Sequence, residues 1–135
     1  MPAAAEIRIL LVDDHIAMRR VLRQFLKSEP GFAIVGEAGE GETAVRLAAE
    51  LSPDVIVMDI NMPGMNGIEA TRRITAAKNA PKVLGFSVAD PGTADMILAA
   101  GASRFVSKAN AADELVDAIR SLCNDDVSRA GEPRL

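Results

Sequence analysis

Asp13, Asp14, Asp59, Ser87 and Lys108 each follow a short apolar run, and they are the residues of this chain best equipped for chemistry. Three carboxylates sharing one small space repel one another and are tolerated mainly around a cation. An all-oxygen donor set suits a hard ion, and a few carboxylates with retained waters suit magnesium better than a fully caged calcium. Asp14 and Asp59 are the expected direct ligands, with Asp13 acting directly or through water. The main-chain carbonyl of Asn61, just past Asp59, completes the protein's share. A carboxylate can also attack phosphorus and form an acyl phosphate. Such a transfer depends on positioning and on neutralising the phosphoryl oxygens. The metal would hold one oxygen, the Lys108 ammonium a second and the Ser87 hydroxyl a third.

Each residue alone also has an ordinary reading. Asp14 suits the cap of a helix start. Asp59, Asn61 and Asn66 suit turns. Ser87 alone is a loop hydroxyl and Lys108 a solvated charge. His15, with no second histidine in the chain, reads as a partly exposed helix-start residue and not as a ligand. What separates the readings is whether the groups meet, and that depends on the elements carrying them.

Those elements alternate. Ile7 to Val12 is a β-branched-rich run, followed by Met18, Val21, Leu22 and Phe25 at helical spacing. Phe32 to Gly36 reads as a strand, and Ala44, Leu47, Ala48 and Leu51 mark the next helix. Asp54 to Met58 is the third strand, a weaker helix runs over about 68–77, and Lys82 to Phe86 forms a fourth strand reaching Ser87. A short helix around Ala94 to Ala100 leads to the strand Arg104 to Ser107. The last helix places Ala112, Leu115, Val116 and Ile119 on one face. Strands alternating with helices imply a (βα)5 fold of the α/β class, a doubly wound five-stranded parallel sheet. The flavodoxin-like strand order 2-1-3-4-5 is expected, with ligands beyond the carboxyl ends of the strands. In that order the first and third strands are neighbours, about 4.8 Å apart, so their terminal acids share one space. Lys108 lies about 10 Å from Asp59 in backbone terms, a gap a lysine side chain partly bridges.

With 135 residues, 49% of them apolar, the chain is sized for one cored domain. A net charge of −4 offers no basic footprint for nucleic acid. The single cysteine, Cys123, cannot form an internal disulfide, in keeping with a reducing cytoplasm. No apolar run approaches the roughly 20 residues of a membrane span, and the N-terminus lacks a signal-peptide pattern. A cytoplasmic protein with no membrane partner is expected.

Asp13-Asp14, then Asp59-Ile60-Asn61-Met62-Pro63-Gly64-Met65-Asn66-Gly67, then Ser87, then Lys108 closely resemble the receiver domain of two-component response regulators over about residues 7 to 123. The resemblance implies a switch with self-catalysed phosphoryl chemistry, not an enzyme with a free substrate. Asp59 would take its phosphoryl group from a sensor histidine kinase, with Mg2+ on Asp13, Asp14, Asp59 and the Asn61 carbonyl. Ser87 would move toward the phosphoryl group and Phe105, the aromatic switch position, would turn inward. The change would appear on the surface of the fourth helix, fifth strand and fifth helix, with a homodimer as one outcome. Asp13-Asp14-His15, Gly85-Phe86-Ser87-Val88 and Ala100-Gly101-Ala102 resemble the NarL/FixJ group of transcription regulators, whose DNA-binding part is a C-terminal helix-turn-helix. Residues 1–124 are expected to form the receiver, and 125–135 an interdomain linker or disordered tail leading to a DNA-binding domain absent from this chain. Two departures stand out. Val88 narrows access beside Ser87 where many receivers carry a smaller residue, and Asp90-Pro91-Gly92 predicts a short or mobile fourth helix.

Three other readings compete. A flavodoxin-type redox protein would need phosphate-binding loops and aromatic cover for a flavin; the chain has two aspartates there and neither Trp nor Tyr. An aspartyl-phosphate hydrolase would need a second acid where Asn61 stands. A stand-alone or degenerate receiver would act only as a protein-interaction module, against which the full set of acids, Ser87 and Lys108 speaks.

Overall fold

β-branched and aliphatic residues in unbroken runs bury both faces of a strand, and such strands pair in parallel between layers of helices. The computed structural model describes residues 6–88, 90 and 92–131, the stretch 125–131 as backbone only. In chain order the elements are β1 (Ile7–Val12), α1 (Ile16–Lys27), β2 (Phe32–Ala38), α2 (Gly41–Leu51), β3 (Val55–Met58), α3 (Gly67–Thr75), β4 (Lys82–Ser87), α4 (Thr93–Ala99), β5 (Arg104–Ser107), a 3-10 turn (Lys108–Asn110) and α5 (Ala111–Gly131). The sheet is five-stranded in the order β2-β1-β3-β4-β5, as expected from the alternation. All its pairings are parallel, with Val12 opposite Met58 and Met58 opposite Gly85.

The period-two alternation of strands divides the core between the two faces. Leu10, Val12, Ile56 and Met58 point one way, onto Ala44 and Ala48 of α2, Ala70 and Ile74 of α3 and Ile97 of α4. Ile9, Leu11, Val55, Val57, Leu84 and Phe86 point the other way, onto Leu22 and Leu26 of α1 and Leu115, Ala118 and Ile119 of α5. The strands therefore run in the seam between two packed layers, and the residues that follow them emerge at the sheet's carboxyl edge.

Several local expectations shift. In α1 the buried stripe runs through Leu22 and Leu26, with Met18 and Phe25 beside it; Val21 is 62% exposed. Helical geometry explains this, because Leu26 is one turn beyond Leu22 while Val21 lies about 100° around the helix from it. In α5 Ala118 is buried and Ala112 is exposed, the same rotation of the stripe. α4 is seven residues long, the short helix expected; Pro91, on which that expectation partly rested, lies outside the described residues. α5 continues to Gly131, so the backbone of residues 125–131, the expected start of a linker or tail, is helical. Extending an existing helix costs far less than nucleating one, so no separate signal in that segment is needed. Residues 1–5 and 132–135 lie outside the described residues. Among the described residues no helix is long and apolar enough to cross a membrane.

Candidate functional site at the carboxyl edge of the sheet

Parallel pairing in register brings the ends of β1, β3, β4 and β5 to one level, and the polar residues following them converge. Asp13, Asp59 and Ser87 are the strand-end residues sunk deepest, each no more than 2% exposed. Oxygens of Asp13, Asp14 and Asp59 and a ring nitrogen of His15 all lie within 4.8 Å of one another. The Ser87 hydroxyl donates to Asp59 Oδ1 at 3.3 Å. Lys108, swung inward from the 3-10 turn after β5, has its Nζ 3.6 Å from the same Asp59 oxygen. Its shorter contact is a hydrogen bond of 2.9 Å to Asp13 Oδ2. The lysine thus ties the two deepest acids to each other, a pairing that strand spacing alone did not identify.

Asp59 stays buried because its peptide is fixed on both sides. Its N–H donates to Val12 O at 2.9 Å, and its carbonyl is covered by Gly67. A Cβ at Gly67 would stand 2.0 Å from that carbonyl oxygen, so only glycine permits α3 to start so close to the acid. Asn66 sets that start. Its side chain accepts from the N–H groups of Ile68 and Glu69, so the residue read as a turn former is the N-cap of α3. Burial raises the Asp59 carboxyl above its ordinary pKa, and the negative charge of Asp13 raises it further. Lys108 opposes the shift, Asp14 adds to it, and the Ile60 N–H opposes it in turn.

Asp14 does not cap α1. The N-cap residue is His15, with no side-chain cap bond, and Asp14 Oδ1 is buried without a hydrogen bond. It lies 3.1 Å from His15 Nδ1, within ion-pair range, but the ring bonds Asp13 Oδ1 instead, at 3.2 Å. The same Asp13 oxygen accepts the His15 N–H at 2.9 Å. His15 is 69% exposed, as a helix-start residue should be, although its ring leans over the acids. A buried carboxylate oxygen without a hydrogen bond, on a residue clustered with two other carboxylates, makes a donor set that fits a hard metal ion.

Asn61 is exposed beside this cluster. Phe105 on β5 is half-buried and its ring edge lies over Gly85, where an added Cβ would stand 3.2 Å from it and 3.0 Å from Ile97. Val88 is 59% exposed immediately after Ser87.

Sequence reasoning missed Arg19 and Glu37. Arg19 of α1 donates to the Asp13 main-chain carbonyl and to Glu37 at the end of β2. A signal was available: Glu37 is the one charged residue of β2, next to its last, and such a charge in an otherwise apolar strand requires a partner.

A doubly wound sheet with clustered acids, a hydroxyl and an ammonium at its carboxyl edge defines a receiver-type signalling module. The family model for the response regulator receiver domain matches residues 9–120, and the chain belongs to that family. It is 43% identical over 130 residues to the transcriptional regulatory protein LiaR of Bacillus subtilis, covering 96% of this chain and 59% of LiaR. It is 36% identical to the nitrate/nitrite response regulator protein NarP of Escherichia coli, covering 90% of this chain and 57% of NarP. A LuxR-family two-component response regulator from Aurantimonas superposes with a TM-score of 0.83 at 40% identity, covering 89% of this chain and 87% of that one. The chain therefore spans a little over half the length of these two curated relatives, and its receiver is of the NarL/LuxR kind.

Proposed function

We propose that Asp59 is the phosphoryl acceptor of a magnesium-dependent switch. The observation that carries this reading is the convergence of the Ser87 hydroxyl and the Lys108 ammonium on one Asp59 oxygen, with Asp13 and Asp14 within reach of the same point. Asp13, Asp14, Asp59 and the Asn61 main-chain carbonyl would hold the ion, and the orphaned Asp14 oxygen supports the fit. Bound magnesium supplies positive charge beside the phosphoryl oxygens.

Asp59 attacks the phosphorus of a phosphohistidine on a sensor kinase. The carboxylate O–P bond forms as the N–P bond breaks, and the imidazole leaves to take up a proton. Lys108 neutralises a phosphoryl oxygen, and the Ser87 hydroxyl turns from the carboxylate to another. Water later cleaves the acyl phosphate. Acceptance and loss are both catalysed by the chain's own residues, so the protein is a switch and not a turnover enzyme.

The phosphoryl group adds about −1.5 to −2 charge and shifts the population between two arrangements. Movement of Ser87 leaves room for Phe105 to turn inward, and the change emerges on α4, β5 and α5, with a homodimer as one consequence. The output is control of transcription through a DNA-binding domain that α5 and the segment from 125 onward would join to the receiver of residues 1–124. Its setting is the cytoplasm.

Intact-protein mass after incubation with acetyl phosphate, with and without Mg2+, tests the reading. A magnesium-dependent gain of one phosphoryl mass, abolished in Asp59→Asn, is expected. No gain from either acetyl phosphate or phosphorylated sensor kinases would refute it and favour a pure interaction module.

A further inference from the structure

Taking the acidic cluster as a magnesium site, we propose that Arg19, braced by Glu37, is a positioning residue that holds the Asp13-Asp14 turn in its metal-binding form. Asp13 is fixed through its main chain. Its N–H donates to Ala38 O at 3.0 Å, and its carbonyl accepts from Arg19 Nη1 at 2.5 Å. The other edge of the same guanidinium donates from Nε to Glu37 Oε1 at 3.1 Å. Arg23 holds the second Glu37 oxygen at 2.7 Å. The Arg19 side chain is only 17% exposed and lies across Gly39, where an added Cβ would stand 3.1 Å from Nη1.

A planar guanidinium offers donors in a fixed fork, so two acceptors bound to it are held at a set separation. Here the acceptors belong to the β1–α1 turn and the end of β2. Among the described ion pairs Arg19 joins only Glu37, so its charge is committed to the brace and not to the acids. Burial alone would raise the Glu37 carboxyl, but its hydrogen bonds from Arg23 and Arg19 hold it below the ordinary range and keep it ionised. Three like-charged carboxylates push the turn apart, and the strut resists that relaxation. The ion then meets acids already in place, as when residues outside the ligand shell orient the ligands.

The test is Mg2+ titration of the unphosphorylated protein, with thermal melting in EDTA alongside, for wild type, Arg19→Gln, Arg19→Lys, Glu37→Gln and the Arg19→Gln/Glu37→Gln pair. Arg19→Gln is expected to weaken Mg2+ binding about tenfold, with the EDTA melting point within about 3 °C of wild type. Glu37→Gln should weaken it less, the pair no more than Arg19→Gln alone, and Arg19→Lys should recover part of the loss. A lowered melting point with unchanged Mg2+ affinity would overturn the proposal, since that is the mark of a merely structural contact. Should Arg19→Gln fail to fold, unchanged affinity in both Arg19→Lys and Glu37→Gln would overturn it equally. Wild type that binds no Mg2+ would instead refute the metal reading of the whole site.

Discussion

Replacing Asp59 with asparagine removes one of three negative charges from a buried cluster while keeping an oxygen to accept from Ser87. Oxygens of Asp13 and Asp14 lie within 4.8 Å of Asp59, and at an effective dielectric near 20 each such pair costs ~3.5 kcal/mol. Lys108 at 3.6 Å offsets ~4.6 kcal/mol of this, leaving about 2 kcal/mol of net repulsion before desolvation is added. Without metal at pH 7, Asp59→Asn should therefore stabilise the fold by about 2 kcal/mol, or roughly 6 °C in melting temperature. The sign with pH follows from the raised carboxyl. The folded chain holds the Asp59 proton more tightly than the unfolded chain, whose carboxyl titrates near its ordinary 3.8. The penalty is absent below that value, grows as pH rises toward the raised one, and is complete above it, at about 1.4 kcal/mol for each pH unit that separates the two. The advantage of the variant must therefore shrink as pH falls toward 4. Magnesium should stabilise wild type more than the variant, narrowing the gap from the other side. Melting followed by circular dichroism in EDTA, from pH 8 to pH 4, and again at pH 7 with Mg2+, measures both trends. A variant no more stable than wild type at pH 7, or an advantage independent of pH, would refute this electrostatic account.

Other perturbations act on different parts of the frame. Gly67→Ala puts a methyl 2.0 Å from the Asp59 carbonyl and should cost about 1–3 kcal/mol, read by urea denaturation, with slower phosphorylation as the acid shifts. Thr71 is fully buried with its hydroxyl unbonded, so Thr71→Val should raise stability by about 1 kcal/mol in the same assay. Val88→Ala should speed loss of the phosphoryl group if the exposed branched side chain directly after Ser87 limits the approach of water. Equal dephosphorylation rates in the two proteins, followed by intact mass, would dismiss Val88 as a shield.

Much of this protein was legible in its sequence because its strands are short, apolar and separated by helical periodicity. Alternation alone implies a parallel sheet, and a parallel sheet puts every residue after a strand at one edge. That is why Asp13, Asp14, Asp59, Ser87 and Lys108 were legible as a group from spacing. Local pattern could not tell which neighbour each side chain chooses. Asp14 has the right type and place to cap α1, yet its oxygen is left orphaned among acids because the fold of the turn gives the cap position to His15. Lys108 was legible as a charge near Asp59, but only the inward turn after β5 brings it nearer to Asp13, 95 residues away in sequence. Arg19 and Glu37 lie on elements that meet only when α1 packs beside β2, so the sequence signalled that Glu37 needs a partner but not that the partner is Arg19. The sequence determined the inventory of groups and the edge at which they gather, since both follow from periodicity within single elements. The pairings that set charge, burial and orientation were decided by tertiary structure, because they join residues whose distance along the chain carries no information about their distance in space.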